Sequence, residues 1–500
     1  MLCGLLVVSS LGLISLPKQA DTVIFNQSSQ LTIAAVTSGD LNGDGIEDIV
    51  LGGGQSIAII QGRPVYPKEI TLSSKTLPDT VIGDIDSTLV ASQMTSVGDL
   101  NGDGIGDLLI ATETGLSIYW GRKSWPKTID WKKNPGNVQI MGKGKTGQHT
   151  LFHAATGDIN KDGIDDLVLA YVYAPPPPPD MGFKPEDWTV SEQEIAGIFM
   201  GRASWPKVVD LKEQDPDVVL KAVQPGPVYR RLRQISIGDV DGDGYGDIVL
   251  GSWGDIRSVI EFPKSAEWAI PCAIKGGPDL PKVLTLMERP NSGVLGKPKL
   301  NLPIRCLKFS DGLIFSAGRP QIGDLTGDGR KDIVLKMFKR DGYKIFKELR
   351  IFQGNPDFFV SKGHHETIEF TSVRGGAGFT NENFIFSPDP MLGDLNGDGF
   401  EDLIVFSGYP EFSYKALWGR KTFPALLDIE EGATITVFPS DMVTQRAGHG
   451  FSHRLGKING DTFADLMIVD ALGGKSHEDP VGPGALYLVF GKKQYDHEKN

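Results

Sequence analysis

Basic residues, cysteines and long apolar runs are all scarce in this chain, and each scarcity removes a class of function. Lys and Arg number 50 against 63 Asp and Glu, for a formal net charge of −13. Without a basic surplus the chain has little to neutralise phosphates, which argues against nucleic acid as a partner. Cations suit it better. Past the first twenty residues no stretch is long and apolar enough to be a transmembrane helix. Met1 to Ala20, with its apolar run Leu5 to Leu16 and the single charge Lys18, is expected to be a signal peptide. Its pattern is imperfect, since no basic residue precedes the run and Lys18 stands where a small residue is usual. Cys3 precedes the run instead of following it, so lipid attachment there is not expected. After the leader only Cys272 and Cys306 remain, a pair compatible with one disulfide in an oxidising compartment. There is no G-x-S-x-G, H-E-x-x-H, phosphate loop or C-x-x-C-H, and so no visible chemistry that needs a nucleophile.

Glycine and proline, at 62 and 32 residues, are plentiful and point to turns in place of long helices. They are organised by an internal repeat. Its copies begin at Gly39 and Gly98 (both GDLNGDG), Gly157 (GDINKDG), Gly238 (GDVDGDG), Gly323 (GDLTGDG) and Gly393 (GDLNGDG), with a worn seventh, GKINGDT, at Gly456. The first two intervals are 59 residues and the last is 63. Longer intervals hold insertions, at about 174–195, with the run Pro175 to Pro179, and at about 252–320, with both cysteines.

Each unit reads as a short apolar segment, an acidic loop, and a run such as Asp107-Leu-Leu-Ile-Ala. A second run follows, then a turn of the form G-R-x-x-aromatic-P (Gly62, Gly121, Gly201, Gly419), and a closing run such as Lys127-Thr-Ile-Asp-Trp. Runs of four to six Val, Ile and aromatic residues bounded by Gly and Pro are strands. Seven units of four short antiparallel strands predict an all-β, seven-bladed β-propeller over 21–500. The last unit lacks a fourth strand, and Asp21-Thr-Val-Ile-Phe is expected to supply it and latch the ring.

Within each loop, oxygen-bearing side chains fall at positions 1, 3, 5 and 9, around a glycine bend, with a backbone carbonyl available at position 7. The sets are Asp40, Asn42, Asp44, Ile46, Asp48; Asp99, Asn101, Asp103, Ile105, Asp107; and Asp158, Asn160, Asp162, Ile164, Asp166. They continue with Asp239, Asp241, Asp243, Tyr245, Asp247; Asp324, Thr326, Asp328, Arg330, Asp332; and Asp394, Asn396, Asp398, Phe400, Asp402. Hard oxygen donors in this number suit Ca²⁺. An EF-hand is rejected because position 12 is Leu51, Ile110, Leu169, Leu250, Leu335 or Val405, inside a β-type run, where an EF-hand needs Glu. The alternative is a series of Asx turns without metal. Loop four, with four carboxylates, is expected to bind most strongly, and Thr326 to be a weaker ligand. Loop seven, with Lys457 at position 1 and Thr462 in place of glycine, is expected to hold no metal, the Lys457 ammonium standing beside Asp461 and Asp465.

These motifs resemble the FG-GAP repeat, the unit of the integrin α-subunit N-terminal propeller and of many bacterial extracellular proteins. Leu417-Trp-Gly-Arg-Lys-Thr-Phe-Pro-Ala-Leu-Leu-Asp resembles the bacterial version especially. The resemblance implies loops between the first two strands of each blade that bind Ca²⁺ structurally. The departures are loop seven and the fourth unit, where Ile260-Glu-Phe-Pro stands in place of the G-R turn.

Function is then expected to be a secreted, periplasmic or cell-surface recognition, adhesion or scaffold module for protein or glycan, without catalysis. The alternative is a polysaccharide-binding lectin or a lyase-like enzyme, for which His153, Arg319 and Asp389 are the candidates near the channel. Ordinary inner-strand roles are favoured for them. His449 and His453, four apart, lack a nearby acid and make no zinc site. His364 and His365 read as a solvated turn. The tryptophans of the G-R-x-x-W-P turns read as packing between blades more than as sugar platforms.

Overall fold

The computed structural model describes residues 20–27, 31–73, 78–85, 94–111, 115–142, 152–171, 190–225, 234–251, 271–287, 304–307, 314–316, 318–341, 344–360, 370–374, 389–407, 413–428, 433–436, 451–470 and 484–493. Strands form seven sheets, and none of the described residues is helical. In blade one the order from the centre outward is Ala35–Gly39, Asp48–Gly53, Ser56–Ile60 and Thr80–Gly83, all antiparallel neighbours. The second strand is an unbroken apolar run because it is covered on both faces, and every residue in it is buried.

Seven hydrophobic clusters lie between the blades, one at each junction. Val50 and Ile57 of blade one pack with Leu108 and Tyr119 of blade two. The last junction joins Met467 and Leu486 of blade seven to Val36 and Ile49 of blade one. The ring is therefore continuous, and the fold is a seven-bladed β-propeller.

Two strand assignments differ from the sequence reading. The run after the G-R turn is not the fourth strand of its own blade. Thr128–Asp130 pairs in parallel with Thr80–Gly83 of the preceding blade, and Val208–Asp210 does the same with Val138–Met141. Each such run adds an outer fifth strand to its neighbour, so it straps two blades together. The true fourth strands, such as Val138–Met141, come later in the chain. In blade seven the fourth place is taken by Thr22–Asn26, antiparallel to Ala485–Val489, with Glu69–Leu72 parallel outside it.

The segment 252–320 is also less of an insertion than its length suggests. Cys272–Ile274 and Ile304–Cys306 are the third and fourth strands of blade four, and Val283–Met287 is the outer strap on blade three. Pro175 to Pro179, Ile260 to Pro263, His364, His365 and His449 lie outside the described residues, as does all of the leader but Ala20.

Cys272 and Cys306 are direct cross-strand partners. We expect them to form a disulfide when the protein is made in an oxidising compartment. Its removal by Cys306→Ser should cost about 2–4 kcal/mol. Intact mass after alkylation without reductant checks the bond: two alkyl groups added at these cysteines would contradict it.

Candidate metal centres

The acidic loops join the first and second strands of each blade, and loop two shows how the sequence builds one. The Asp99 carboxylate turns back into its own loop. Its Oδ1 accepts from the backbone N–H of Gly102 and Asp103 (2.7 and 3.1 Å), and its Oδ2 from that of Gly104 (2.7 Å). Asn101 Oδ1 then accepts from the Asp103 N–H at 2.8 Å, and Asp103 Oδ1 from the Ile105 N–H at 2.9 Å. Gly102 and Gly104 make the coil possible with φ of +74° and +81°, a region that side chains other than glycine resist. The result is a chain wound around the oxygens of positions 1, 3 and 5.

Position 9 has a role that composition alone does not reveal. Asp107 is fully buried; its Oδ2 accepts from the Leu100 N–H (2.8 Å) and its Oδ1 from the Gly121 N–H (2.9 Å). It thus clamps its loop to the turn after the third strand. The same pair of bonds recurs at Asp48, Asp166, Asp247, Asp332, Asp402 and Asp465. The acceptor pattern locates the turn glycine in unit four as Gly276, preceded by Lys275, which the G-R signature could not find. Burial pushes the Asp107 carboxyl up to about 7 against the pull of its two backbone donors, with the Asp103 and Asp99 charges adding to the rise.

Clamp and ligand roles separate by mutation. Asp107→Ala strands two buried N–H groups and should cost about 2–5 kcal/mol even without calcium, with a further loss in calcium because position 9 is also a ligand. Asp103→Ala should lower stability chiefly in calcium. Thermal melts of both variants, with and without EGTA, check this; equal behaviour would refute the division of roles.

The loops also grip one another. The N–H at position 8 donates to the position 1 carbonyl of the preceding loop at all seven junctions, from Gly106 to Asp40 (2.9 Å) around to Glu47 with Lys457 (3.1 Å). The residue at position 7 varies among the copies, yet its side chain repeatedly bears on the preceding loop. A Cβ on Gly102 would lie 3.0 Å from Ile164, and one on Gly460 2.9 Å from Ile46. The turn aromatics join the same seam: Trp125 Nε1 donates to the Leu41 carbonyl at 2.9 Å, and Trp205 Nε1 to that of Leu100 at 3.0 Å. These tryptophans are inter-blade packing.

The copies differ in what surrounds their oxygens. In loop four, carboxylate oxygens of Asp239, Asp241 and Asp247 lie within 4.8 Å of one another, so three candidate ligands converge. In loop five the Thr326 hydroxyl, at position 3, is buried and has no hydrogen-bond partner among the described residues. Loop seven keeps the Asn459, Asp461 and Asp465 bonds of the others. Lys457, however, is exposed and makes no ion pair with Asp461 or Asp465 among the described residues, contrary to the sequence expectation.

Of the lyase candidates, two meet. The Arg319 N–H donates to Asp389 Oδ2 at 3.0 Å, and Lys336 Nζ lies 2.7 Å from Asp389 Oδ1. Arg319 Nε is taken by the Ile235 carbonyl (3.1 Å) and Ser236 Oγ (3.3 Å), which ties blade five to blade four. His153 is half-buried on Phe152–Gly157, the inner strand of blade three. His453 lies on Phe451–Gly456, the inner strand of blade seven.

The architecture defines a repeat-built propeller whose loops face one another around the ring. Residues 99–169, from the second loop through the strand after the third, match the family described as FG-GAP-like repeat. The chain thus carries an FG-GAP-like repeat within a seven-bladed β-propeller. Integrin alpha pat-2 of Caenorhabditis briggsae is 24% identical over 303 residues, 55% of this chain, and its Caenorhabditis elegans counterpart is 23% identical. That match spans 22% of each relative's length. Among solved structures, an Agrocybe aegerita lectin described as recognising non-reducing terminal N-acetylglucosamine aligns over 93% of this chain and 96% of its own. Its TM-score is 0.40 and its identity 14%. The rhamnogalacturonan lyase YesW aligns over 89% of this chain and 65% of its own, with a TM-score of 0.27 and 12% identity. Among the described residues no helix is long and apolar enough to cross a membrane.

Proposed function

We propose that this protein is a calcium-stabilised propeller that works outside the cytoplasm as a non-enzymatic recognition or scaffold module. The observation that carries the calcium part is the buried, unpartnered Thr326 hydroxyl at a ligand position, beside the carboxylates of its own loop. Burying a hydroxyl without a partner is costly, and a cation held there would satisfy it. Loops one to six would each hold one Ca²⁺ through positions 1, 3, 5 and 9 and the position 7 carbonyl. Bound calcium supplies positive charge that offsets crowded carboxylates and cross-links loop, clamp and turn. Six ions would return +12 against a mature charge of about −14 once Lys18 is removed with the leader.

Recognition of a protein or glycan is supported by the integrin alpha resemblance. The test pairs a glycan array and binding to extracellular surface proteins with a lyase and hydrolase assay on acidic polysaccharides, all in calcium. Saturable binding without turnover is expected. Turnover by the purified chain would overturn the non-enzymatic assignment.

A further inference from the structure

Unit four has two features that no other copy shares. Its position 3 is Asp241, where the others carry Asn42, Asn101, Asn160, Thr326, Asn396 and Asn459. The residue before its turn glycine is also unique. Unit four has Lys275 there, while the other units have Gln61, Trp120, Met200, Gln353, Trp418 and Phe490, all uncharged. The fold brings these two places together: in unit three the equivalents Asn160 and Met200 touch, Nδ2 to Sδ at 3.9 Å.

In unit four the contact is an ion pair. Lys275 Nζ bonds Asp241 Oδ2 and lies 2.6 Å from Asp243 Oδ2. Asp241 is almost wholly buried, its side chain 3% exposed. A second ammonium, Lys161 of loop three, donates to the Asp243 carbonyl at 2.8 Å and sits over the Tyr245 ring. Beside the pair an open cavity of about 380 Å³, lined in part by Asp328, Arg330 and Pro356, gives the Lys275 head a place to swing into.

We infer that Lys275 is a built-in counter-cation for Asp241, that it competes with calcium for loop four, and that loop four is consequently not the first of the six to fill. The two exceptional residues cancel. With Lys275 in place the ligand positions of loop four carry the net charge of the three carboxylates in loops one, two, three and six, and the ammonium must leave two carboxylates before a metal can use them. Loop five has a counter-cation of its own in Arg330, paired with Asp328. A carboxylate count alone ranks loop four first; the ion pair removes that advantage. The inference rests on the calcium assignment proposed above and adds a residue that sets one site's affinity.

The test uses the full chain and terbium as the probe. Tyr245, at position 7 of loop four, sensitises terbium bound there, so the emission lost in Tyr245→Phe reports that loop alone. Lys275→Met should raise loop-four affinity, read as calcium competition with terbium, by at least about tenfold. It should also lower the melting temperature in EGTA and leave it unchanged or higher in saturating calcium. The double variant Asp241→Asn with Lys275→Met recreates the Asn–Met pair of unit three, so it folds by a precedent within the chain. It should fill together with the other loops. Unchanged loop-four affinity in Lys275→Met, with the other five loops still binding, would overturn the inference and leave the calcium assignment standing. Failure of every loop to bind would overturn both.

Discussion

Removing calcium with EGTA is expected to lower the melting temperature of the purified chain by on the order of 10 °C or more. The reason is mass action: each site that binds only the folded chain adds about 2.7 kcal/mol at a calcium level a hundredfold above its Kd, and six sites act on one cooperative ring. The pH dependence should reverse with the metal. In EGTA the position 9 carboxyls, pushed up to about 7 at Asp48, Asp107, Asp247, Asp402 and Asp465 by burial, hold protons that the unfolded chain has lost. The folded state binds more protons between about pH 4 and pH 7, so metal-free stability falls as pH rises through that window. In calcium the ligands must be ionised, and acidification should destabilise by releasing the metal. Melts across pH 4.5–7.5 with and without EGTA check both slopes. Parallel slopes would count against metal in these loops.

Deleting Thr22–Asn26 is expected to abolish the folded monomer. This strand lies between Ala485–Val489 and Glu69–Leu72, so its loss frees two edges at once. It also fills two cores. Val23 and Phe25 pack against Ile468 and Tyr487 at the junction of blades six and seven, while Ile24 packs with Leu488 and Ile49 at the next. Asp21 Oδ2 accepts from the Phe490 N–H at 2.9 Å, and the Thr22 hydroxyl donates to the Pro67 carbonyl at 2.9 Å. The milder Phe25→Ala should cost about 3–5 kcal/mol. Size-exclusion chromatography and melting of both variants, with and without a peptide of residues 20–27 added in trans, test the latch. A deletion that stays monomeric with an unchanged melt would show that the ring closes without it.

The repeat, the blade count and the loop residues were legible in the sequence because each depends on local chemistry. Oxygen donors at fixed spacing around Gly43 and Gly45 announce a coiled acidic loop in any context. Strand partners carry no such label. Thr128–Asp130 and Val138–Met141 are both short β-type runs, and only the ring decides that the first straps the preceding blade while the second completes its own. The turn of unit four was hidden because Gly276-Gly-Pro-Asp-Leu-Pro keeps the closing proline, Pro281, but has Gly277 and Leu280 in place of the arginine and the aromatic. The double use of position 9 was hidden because its partners, such as Leu100 and Gly121, are backbone donors that any residue could supply. One signal was available and unread: Asp241 and Lys275 are each the sole charged residue at their repeat position.

The central claim is that six loops of this propeller are calcium sites. Calcium counted per chain by elemental analysis, after gel filtration in buffer holding saturating free calcium, tests it most directly. About six ions per wild-type chain are predicted, falling by one with Asp103→Ala and unchanged by Lys457→Ala. Fewer than one ion per chain, with Asp103→Ala indistinguishable from wild type, would contradict it.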